Sequence, residues 1–460
     1  MSNRPETNKQ SCPVYKKCGG CQLQNLSYPE QLEFKQKKVE KLLKRFCTVE
    51  KIIGMKTPYH YRNKVQAAFY TDKKGKIISG VYQSGSHHVV GIDSCQTEDV
   101  IADKIIVAVR KLLPSFRMTT YNEDTGKGFL RHILVKRGFA TNQIMLVLVT
   151  GTPVFPSKNN FVKAILKQFP EITTIVQNIN PYRTNLVLGD NQKVLYGKGY
   201  IEDILCGCRF RISPKSFYQI NPVQTEVLYG KAIEFANLKG NETVLDTYCG
   251  IGTIGIIAAK NGAGNVIGAE LNGDAVRDAI VNARANNLKN IRFYKADAGE
   301  FMREATDEDE KPDVVFMDPP RAGSDRKFLD SLIKMSPKKV VYVSCNPETL
   351  ARDLAYLTQN SPYKAQKIQP VDMFPHTAHI ETVVLLSHKK PDGHINVKVE
   401  FGEGEGKVPL DNIAKRAEDY KPKERVTYKM IKEYIEAKYG FKVHTAYIAE
   451  VKRDLGLPMY

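Results

Sequence analysis

The stretch TVLDTYCGIGTIG, residues 243–255, contains the pattern that decides the fold of the second half of this 460-residue chain. It begins as a buried strand, and residues 250–255 form a literal GxGxxG turn that opens a helix. Glycines let the backbone approach a ligand closely, and the helix N-terminus offers free amide donors. Glu270 ends the next strand, 20 residues after Gly250, where its carboxylate can accept both hydroxyls of a ribose. The turn predicts a nucleotide cofactor, but its spacing alone does not separate NAD from S-adenosylmethionine.

Around this turn, from about residue 216 to residue 390, strands alternate with helices of roughly 10 to 15 residues. The strand-like segments are residues 243–250, 265–271, 291–297, 313–320, 338–347 and 381–389. This alternation predicts an α/β fold with a doubly wound, mostly parallel, Rossmann-like sheet. Ligands of such sheets bind at the carboxyl ends of the strands, so we expect the functional residues there.

Acidic residues end several of these strands. Asp246 ends the first, Asp297 closes the third in a position to reach an adenine, and Asp318 begins the Asp-Pro-Pro sequence at the end of the fourth. A carboxylate at the fourth strand suits the positive sulfonium of S-adenosylmethionine, whereas a dinucleotide enzyme has no need of that charge. The sequence therefore favours S-adenosylmethionine as the cofactor.

The remaining chain divides into three further parts. Residues 1–57 hold a cysteine-rich loop and one amphipathic helix at about residues 27–46, which Ser27 can cap. Residues 58–215 read as an α+β domain that starts with a hairpin, and residues 216–390 are the Rossmann-like domain. After the polar stretch near residue 390, residues 391–460 predict a small helical extension.

A cysteine ends a later strand on the ligand side of the predicted sheet. Cys345, in the sequence Ser-Cys-Asn-Pro, ends a strand, and the helix starting near Pro347 is expected to lower its pKa through the helix dipole. A cysteine in this position would suit methylation of a uracil ring at C5. That carbon is a poor nucleophile unless a thiolate first adds to C6, and a base must later remove the C5 proton. Glu381, in the sequence His-Ile-Glu before the final strand, is the candidate base.

Together these motifs make the sequence resemble the RNA uracil-C5 methyltransferase family, whose bacterial members act on 23S ribosomal RNA and on the T-loop of transfer RNA. The resemblance covers about residues 12–387 and rests on Cys12-x5-Cys18-x2-Cys21, SFYQIN at 216–221, DTYCGIGT at 246–253, DPPRAG at 318–323, SCNP at 344–347 and HIE at 379–381. It implies cofactor contacts at Gln219, Tyr248, Glu270 and Asp318, with Cys345 as nucleophile and Glu381 as base.

Three departures from the family pattern concern the two ends and the glycine turn. Many members carry a small β-barrel RNA-binding domain before the cysteines, and here eleven residues precede Cys12. The extension at residues 391–460 is also outside the common pattern. Thr253 stands where some members have Asn, which leaves that contact open.

The cysteine-rich loop predicts a metal site. Cys12, Cys18 and Cys21 lie close together in sequence, and close thiols in a reducing compartment point to zinc or an iron–sulfur cluster. Cys95 fits as the fourth ligand. The family resemblance favours a structural 4Fe–4S cluster, with zinc as the alternative.

The charge balance indicates the partner. With 68 Lys and Arg against 50 Asp and Glu, the net charge is +18, which favours a polyanion such as RNA. Basic and aromatic residues at 61–64 and 131–137 are expected to contact RNA from strands, which makes the inserted α+β domain at residues 58–215 an expected RNA-binding domain. Phe217 and Tyr218 are expected to stack on the target base. With no signal peptide and no apolar run of about 18 residues, we expect a cytoplasmic monomer with no membrane contact and no obligate protein partner.

Several functions remain open at this point. Methylation of a uridine in 23S ribosomal RNA is the first hypothesis, and the transfer RNA T-loop is its alternative substrate. A methyltransferase acting on exocyclic amines would not need Cys345. An inert iron–sulfur RNA-binding protein would be expected to lack Cys345 or Glu381, and both are present.

Overall fold

The computed structural model describes residues 12–388 apart from 84, 85, 87, 185 and 308–310. The extension predicted at residues 391–460 lies outside the described residues. The α-helices of the described part are α1 (Tyr15–Cys18), α2 (Tyr28–Leu43), α3 (Val100–Leu112), α4 (Lys158–Gln168), α5 (Pro222–Ala236), α6 (Thr253–Lys260), α7 (Gly273–Ala285), α8 (Ala298–Asp307), α9 (Arg326–Met335) and α10 (Pro347–Asn360). The strands are β1 (Lys64–Thr71), β2 (Ile77–Tyr82), β3 (Val89–Gly91), β4 (Leu130–Arg137), β5 (Ile144–Thr150), β6 (Ile172–Ile179), β7 (Asn191–Tyr196), β8 (Ile201–Leu205), β9 (Cys208–Ile212), β10 (Thr243–Asp246), β11 (Asn265–Glu270), β12 (Ile291–Lys295), β13 (Val314–Met317), β14 (Lys339–Ser344), β15 (Tyr363–Val371) and β16 (Glu381–His388).

The first large sheet has seven strands in the order β3-β2-β1-β4-β5-β6-β7. Its strands pair antiparallel, except that β5 and β6 run parallel. Strand β4, at the centre, is buried over almost its whole length, and β5 is buried throughout. Helix α3 packs against β1, β2 and β4, and apolar residues of the helix and of this sheet form one hydrophobic core.

The second large sheet also has seven strands, in the order β12-β11-β10-β13-β14-β16-β15. Strands β10 to β14 are parallel, and the chain order reverses between β10 and β13. This arrangement confirms the Rossmann-like doubly wound sheet that the alternating pattern predicts. The reversal creates the crevice at the carboxyl ends of the strands where such folds hold ligands.

The far edge of this sheet departs from a purely parallel pattern. Strand β16 pairs antiparallel with both β14 and β15. The sequence pattern did not predict β15, in which the adjacent polar residues Gln366 and Lys367 interrupt the alternation and Pro370 is a residue uncommon inside strands. Because β16 runs in the opposite direction to β14, its first residue, Glu381, lies at the carboxyl edge of the parallel strands.

Helix α2 confirms the predicted N-terminal helix. The Ser27 hydroxyl and Glu30 carboxylate form a capping box, and Pro29 lies in the first turn. The helix packs against α10 and β15, which places it on the second sheet. Its buried residues are Gln31, Lys35, Val39 and Leu43, so this helix brings polar groups as well as apolar ones into the interior.

Among the described residues, no helix combines the length and the apolar character that a membrane span would require.

Candidate active site

A cavity of about 560 Å³ opens at the carboxyl edge of the parallel strands. It is lined by the turn after β10, the end of β11, the Asp-Pro-Pro sequence after β13, the residue after β14 and the start of β16. Of the predicted site residues, the lining includes Gln219, Tyr248, Gly250, Glu270, Asp318, Cys345 and Glu381. Segments far apart in the sequence therefore meet at one cavity, at the edge that the fold class predicts.

The glycine turn is shaped for close approach. Gly250 and Gly252 have φ values of 54° and 84°, in the left-handed region that favours glycine. A Cβ on Gly252 would lie 2.8 Å from the ring of Phe293, so a larger residue would clash there. The Gly250 N–H donates to Glu270 Oε2 at 3.0 Å, and the Asn272 N–H donates to Glu270 Oε1 at 2.7 Å. These bonds fix the Glu270 carboxylate at the cavity.

Two strand-end carboxyl groups are buried beside this turn. Burial raises the pKa of Asp318, in the cavity wall, to about 7. Burial also raises the pKa of Asp246 to about 7, and the nearby Asp318 and Glu270 add to the shift. Asp246 Oδ2 accepts from the Gly255 N–H at 2.8 Å, while Oδ1 has no hydrogen-bond partner in the described part of the chain. A cation bound here would favour the ionised forms of both groups.

Gln219 and Tyr248 border the same cavity. Gln219 Nε2 donates to the Tyr229 hydroxyl at 3.5 Å, and the Tyr248 ring packs against Phe328 with centroids 5.3 Å apart. Asp297 is outside the set of described residues that line the cavity. Its Oδ1 accepts from the N–H groups of residues 299 and 300 at the start of α8, and its contact with an adenine remains a prediction.

Cys345 and Glu381 come together because β14 and β16 are antiparallel neighbours. Ser344 pairs with Thr382, so the residue after β14 adjoins the first residue of β16. Burial and the nearby Asp318 raise the pKa of Glu381 to about 8. The pairing of β14 with β16 therefore brings the Cys345 sulfur and the Glu381 carboxyl group to adjacent strand ends at the cavity.

The expectation that the helix dipole lowers the pKa of Cys345 is wrong for this structure. Burial, Glu381 and Asp318 raise that pKa to about 11, and Arg321 opposes the shift. The side chain of Asn346 caps α10 by accepting from the residue 348 N–H at 3.1 Å. The half-buried thiol thus lies beside carboxyl groups that disfavour its ionised form.

Comparison with known proteins agrees with this geometry. The family described as tRNA (Uracil-5-)-methyltransferase matches residues 183–389. An uncharacterized RNA methyltransferase of Bacillus cereus is 44% identical over 388 residues, covering 83% of this chain and 84% of the relative. One of Listeria monocytogenes is 46% identical over 379 residues, covering 82% and 83%.

A solved structure adds the fold. The tRNA (uracil-54, C5)-methyltransferase of Pyrococcus abyssi, in complex with S-adenosyl-L-homocysteine, is 31% identical with a TM-score of 0.68. The match covers 80% of this chain and 85% of that one. The chain belongs to the RNA uracil-C5 methyltransferase family. Its second sheet accordingly has the Rossmann-like methyltransferase fold.

Polar and aromatic side chains with no predicted role also line the cavity, among them Tyr229, Arg321, Phe374 and His379. Arg321 Nη2 lies 2.8 Å from His379 Nδ1. The signal for these two was present in the sequence, because Arg321 follows Asp-Pro-Pro and His379 opens His-Ile-Glu. Tyr229, in the middle of α5, and Phe374, in a loop, have no comparable motif.

The predicted metal ligands are free thiols and partly buried: Cys12, Cys18, Cys21 and Cys95. Burial raises the pKa of Cys21, and the neighbouring Cys18 and Cys12 raise it further. Within residues 12–388 as described, no three His, Cys, Asp or Glu side chains form a group arranged to hold a metal ion. The donor types suit a cluster, but their arrangement in this structure does not.

The basic strand residues expected to contact RNA are mostly used inside the protein. Arg131 is buried, and its Nη2 donates to both carboxylate oxygens of Glu123 at 3.0 and 2.8 Å. Its Nη1 donates to the carbonyls of Asn180 and Tyr182 at 2.8 and 2.7 Å. Burial lowers the pKa of His132 to about 4. The expectation of RNA contacts is wrong for Arg131 and His132, because β4 is a central strand covered on both faces.

Lys136 and Asn63 hold the loop that carries Gln219. Lys136 is buried, and its Nζ donates to the carbonyls of Ser213 and Ser216 at 2.9 and 2.8 Å. Burial lowers the pKa of Lys136 to about 7. Asn63 Nδ2 donates to the Gln219 carbonyl at 3.2 Å. Lys136 and Asn63 are therefore buried supports of the cavity wall and are not available on the surface for RNA.

The aromatic residues expected to contact RNA also include buried ones. Tyr61 is buried and its hydroxyl donates to the Pro375 carbonyl at 3.0 Å. Tyr218 is also buried, with its hydroxyl 3.3 Å from Asp203 Oδ2. Phe217 is 66% exposed and borders the cavity. Of the aromatic residues predicted to contact RNA, Phe217 is thus exposed at the cavity, and its stacking on a base stays a prediction.

Proposed function

We propose that this protein transfers a methyl group from S-adenosylmethionine to carbon 5 of a uridine in structured RNA. The observation that carries the proposal is the position of Cys345 and Glu381 on adjacent strand ends, in a cavity that also holds the expected cofactor contacts. A thiol beside a carboxyl group is the pair that uracil C5 chemistry requires.

The residues around the cofactor fit its parts. Glu270 is held by the glycine turn so that its remaining lone pairs can accept ribose hydroxyls. Burial raises the pKa of Asp318 to about 7, and a neighbouring cation would favour its ionised form. When bound, S-adenosylmethionine supplies an electrophilic methyl group on a positive sulfonium.

The chain's own groups then act in sequence on the uracil. Cys345 Sγ loses its thiol proton to solvent and bonds to C6, and the electrons of the C5–C6 double bond move towards O4, which makes C5 nucleophilic. C5 forms its bond to the methyl carbon as the sulfur–methyl bond breaks. Glu381 takes the C5 proton, the double bond re-forms, and the C6–Sγ bond breaks to release Cys345. We expect the exposed ring of Phe217 to stack on the extruded base. Removing that base from the stack of the RNA costs a few kcal/mol.

For the RNA substrate, we propose 23S ribosomal RNA first, on the basis of the sequence resemblance. Transfer RNA is the second candidate, because the similar Pyrococcus abyssi protein is a tRNA (uracil-54, C5)-methyltransferase. Methyl incorporation into separated ribosomal and transfer RNA lacking the modification distinguishes the two. Incorporation into neither would contradict both candidates.

The mechanism is tested with RNA that contains 5-fluorouridine. Fluorine cannot leave as a proton does, so the adduct at C6 should persist and migrate as a protein–RNA complex under denaturing conditions. Cys345→Ala should abolish the complex. Cys47→Ala is a matched control, because Cys47 is a partly buried thiol outside the cavity whose Sγ donates to the Gln366 carbonyl at 3.2 Å. A complex that survives Cys345→Ala, or none with any RNA that is methylated, would refute the covalent step.

We also propose that Cys12, Cys18, Cys21 and Cys95 bind a structural 4Fe–4S cluster, with zinc as the alternative. The donor types and the closeness of Cys18 and Cys12 to Cys21 support it, and the loop would have to close around the metal for all four thiols to bind. Anaerobic reconstitution with iron and sulfide should give the visible absorbance of a cluster. Metal analysis that finds zinc alone, or no metal at all, would contradict the cluster.

A further inference from the structure

The loop that precedes Glu381 is held by the N-terminal segment and not by strand pairing alone. Val371 at the end of β15 pairs with Glu381 at the start of β16, so residues 372–380 form the loop that joins the two strands. Phe374 and His379 on this loop line the cavity. The position of the loop therefore sets one wall of the site and the first residue of β16.

A fully buried ion pair ties this loop to α2. Lys35 Nζ lies 2.5 Å from Asp372 Oδ1, and both side chains are 0% exposed. The same Nζ donates to the Phe374 carbonyl at 3.0 Å, and the Tyr28 hydroxyl donates to Asp372 Oδ2 at 2.9 Å. A buried ion pair adds little net stability because both charges lose water. The Lys35 cation contacts the loop at two points, Asp372 and Phe374, so we interpret the pair as a constraint on the position of the loop.

The middle of the loop is fixed by the same helix. The His376 N–H donates to Gln31 Oε1 at 2.8 Å, and Gln31 Nε2 lies 3.2 Å from His376 Nδ1. His376 Nε2 lies 2.8 Å from the Pro58 carbonyl, which can only accept, so Nε2 carries the proton and Nδ1 accepts from Gln31. His376 has a φ of 68°, a conformation that needs such support in a residue with a side chain.

The segment before α2 adds two more bonds. The Leu23 N–H donates to the His376 carbonyl at 3.0 Å, and the Ala378 N–H donates to Gln22 Oε1 at 3.2 Å. Backbone groups along the loop thus have partners from residues 22–35.

From these contacts we infer that Lys35 is a positioning residue, which with Gln31 and Asp372 sets the loop 372–380 so that Glu381 meets the C5 proton of the covalent intermediate. This inference rests on the proposed function, in which Glu381 is the base. Glu381 must accept the proton from C5 while the C5–C6 double bond re-forms and C6–Sγ breaks. A shift of about 1 Å in such a group costs about 10²-fold in rate. Loss of Lys35 should therefore slow the last step and leave the first bond-forming step intact.

The experiment uses the full chain and RNA with ordinary uridine. Lys35→Met should turn over about 10²-fold more slowly, and the methylated covalent protein–RNA complex should accumulate because its resolution is slow. Lys37→Met on the same helix is the matched control, because Lys37 is exposed and pairs with Glu33 at 2.6 Å. It should turn over without an accumulated complex.

Two further variants separate positioning from stability. Lys35→Met strands a buried carboxylate, whereas Lys35→Met with Asp372→Asn removes both charges and should restore the melting temperature without restoring resolution of the complex. Gln31→Met strands no charge and should also accumulate the complex. If the double variant and Gln31→Met resolve the complex at the wild-type rate, the positioning role is refuted. If Glu381→Gln itself accumulates no complex with ordinary uridine, the proposed function fails, and not this inference alone.

Discussion

The ionisation of Cys345 leads to a quantitative prediction in the unliganded protein. Burial, Glu381 and Asp318 raise the pKa of its thiol to about 11. At about pH 8, a thiol with that pKa is about 10⁻³ ionised, against about a quarter for an ordinary cysteine with a pKa near 8.5. Because the thiolate is the reactive form, Cys345 should be alkylated by iodoacetamide about 10²-fold more slowly than a free cysteine.

Glu381→Gln should change this rate in a pH-dependent way. The pKa of Glu381 is raised to about 8, so its carboxyl is mostly protonated at about pH 6 and mostly ionised at about pH 9. Only the ionised form opposes the thiolate by charge. The variant should therefore leave the alkylation rate unchanged near pH 6 and increase it near pH 9, by about tenfold for each unit by which the thiol pKa falls.

Peptide mass spectrometry of the alkylated protein measures Cys345 separately from the other cysteines. Glu348→Gln is a suitable control, because Glu348 lies on α10 close to Cys345 but pairs with Lys38 at 2.9 Å. Equal effects of the two variants would show that Glu381 has no specific influence on the thiol. Alkylation of the wild-type protein at the rate of free cysteine near pH 7 would refute the raised pKa and favour the helix-dipole expectation.

Two other predictions concern buried charges. Because burial raises the pKa of Asp318 to about 7, its carboxyl binds a proton on folding, and stability should fall by up to about 4 kcal/mol as pH rises from about 4 to about 7. Asp318→Asn should thus raise the melting temperature at about pH 8 but not at about pH 4, and equal changes at both would contradict the shift. Lys136→Met leaves the Ser213 and Ser216 carbonyls without their donor, so it should cost about 1–3 kcal/mol in unfolding free energy and weaken binding of S-adenosylmethionine in calorimetry. Unchanged cofactor affinity would show that Lys136 does not support the cavity.

Much of the fold and of the site followed from local patterns. The GxGxxG turn and the alternation of strands and helices determine a doubly wound sheet, because the helices cover both faces of its central strands. Residues at the carboxyl ends of such strands meet at one edge wherever they lie in the chain. For that reason Gly250, Glu270, Asp318 and Cys345 could be placed together before the structure was known.

Burial of charged side chains could not be predicted in the same way. Arg131 and Lys136 have the sequence pattern of a basic surface strand, but β4 has neighbours on both sides and covered faces. Lys35 likewise occupies a position on α2 that a solvated face would allow, and Asp372, its partner, lies 337 residues away in the chain. Long-range partners decide whether such a residue is exposed, and one sequence does not contain that information.

The direction of β16 shows how chemistry can carry information about topology. Had this last strand run parallel to β14, Glu381 would lie at the opposite edge of the sheet, about 20 Å from Cys345 for a six-residue strand at about 3.3 Å per residue. The proposed base and the proposed nucleophile could not then act on one uracil ring. The assignment of both residues from their chemistry therefore requires an antiparallel last strand, although no hydrophobic pattern specifies its direction. The paired register of Ser344 with Thr382 meets that requirement.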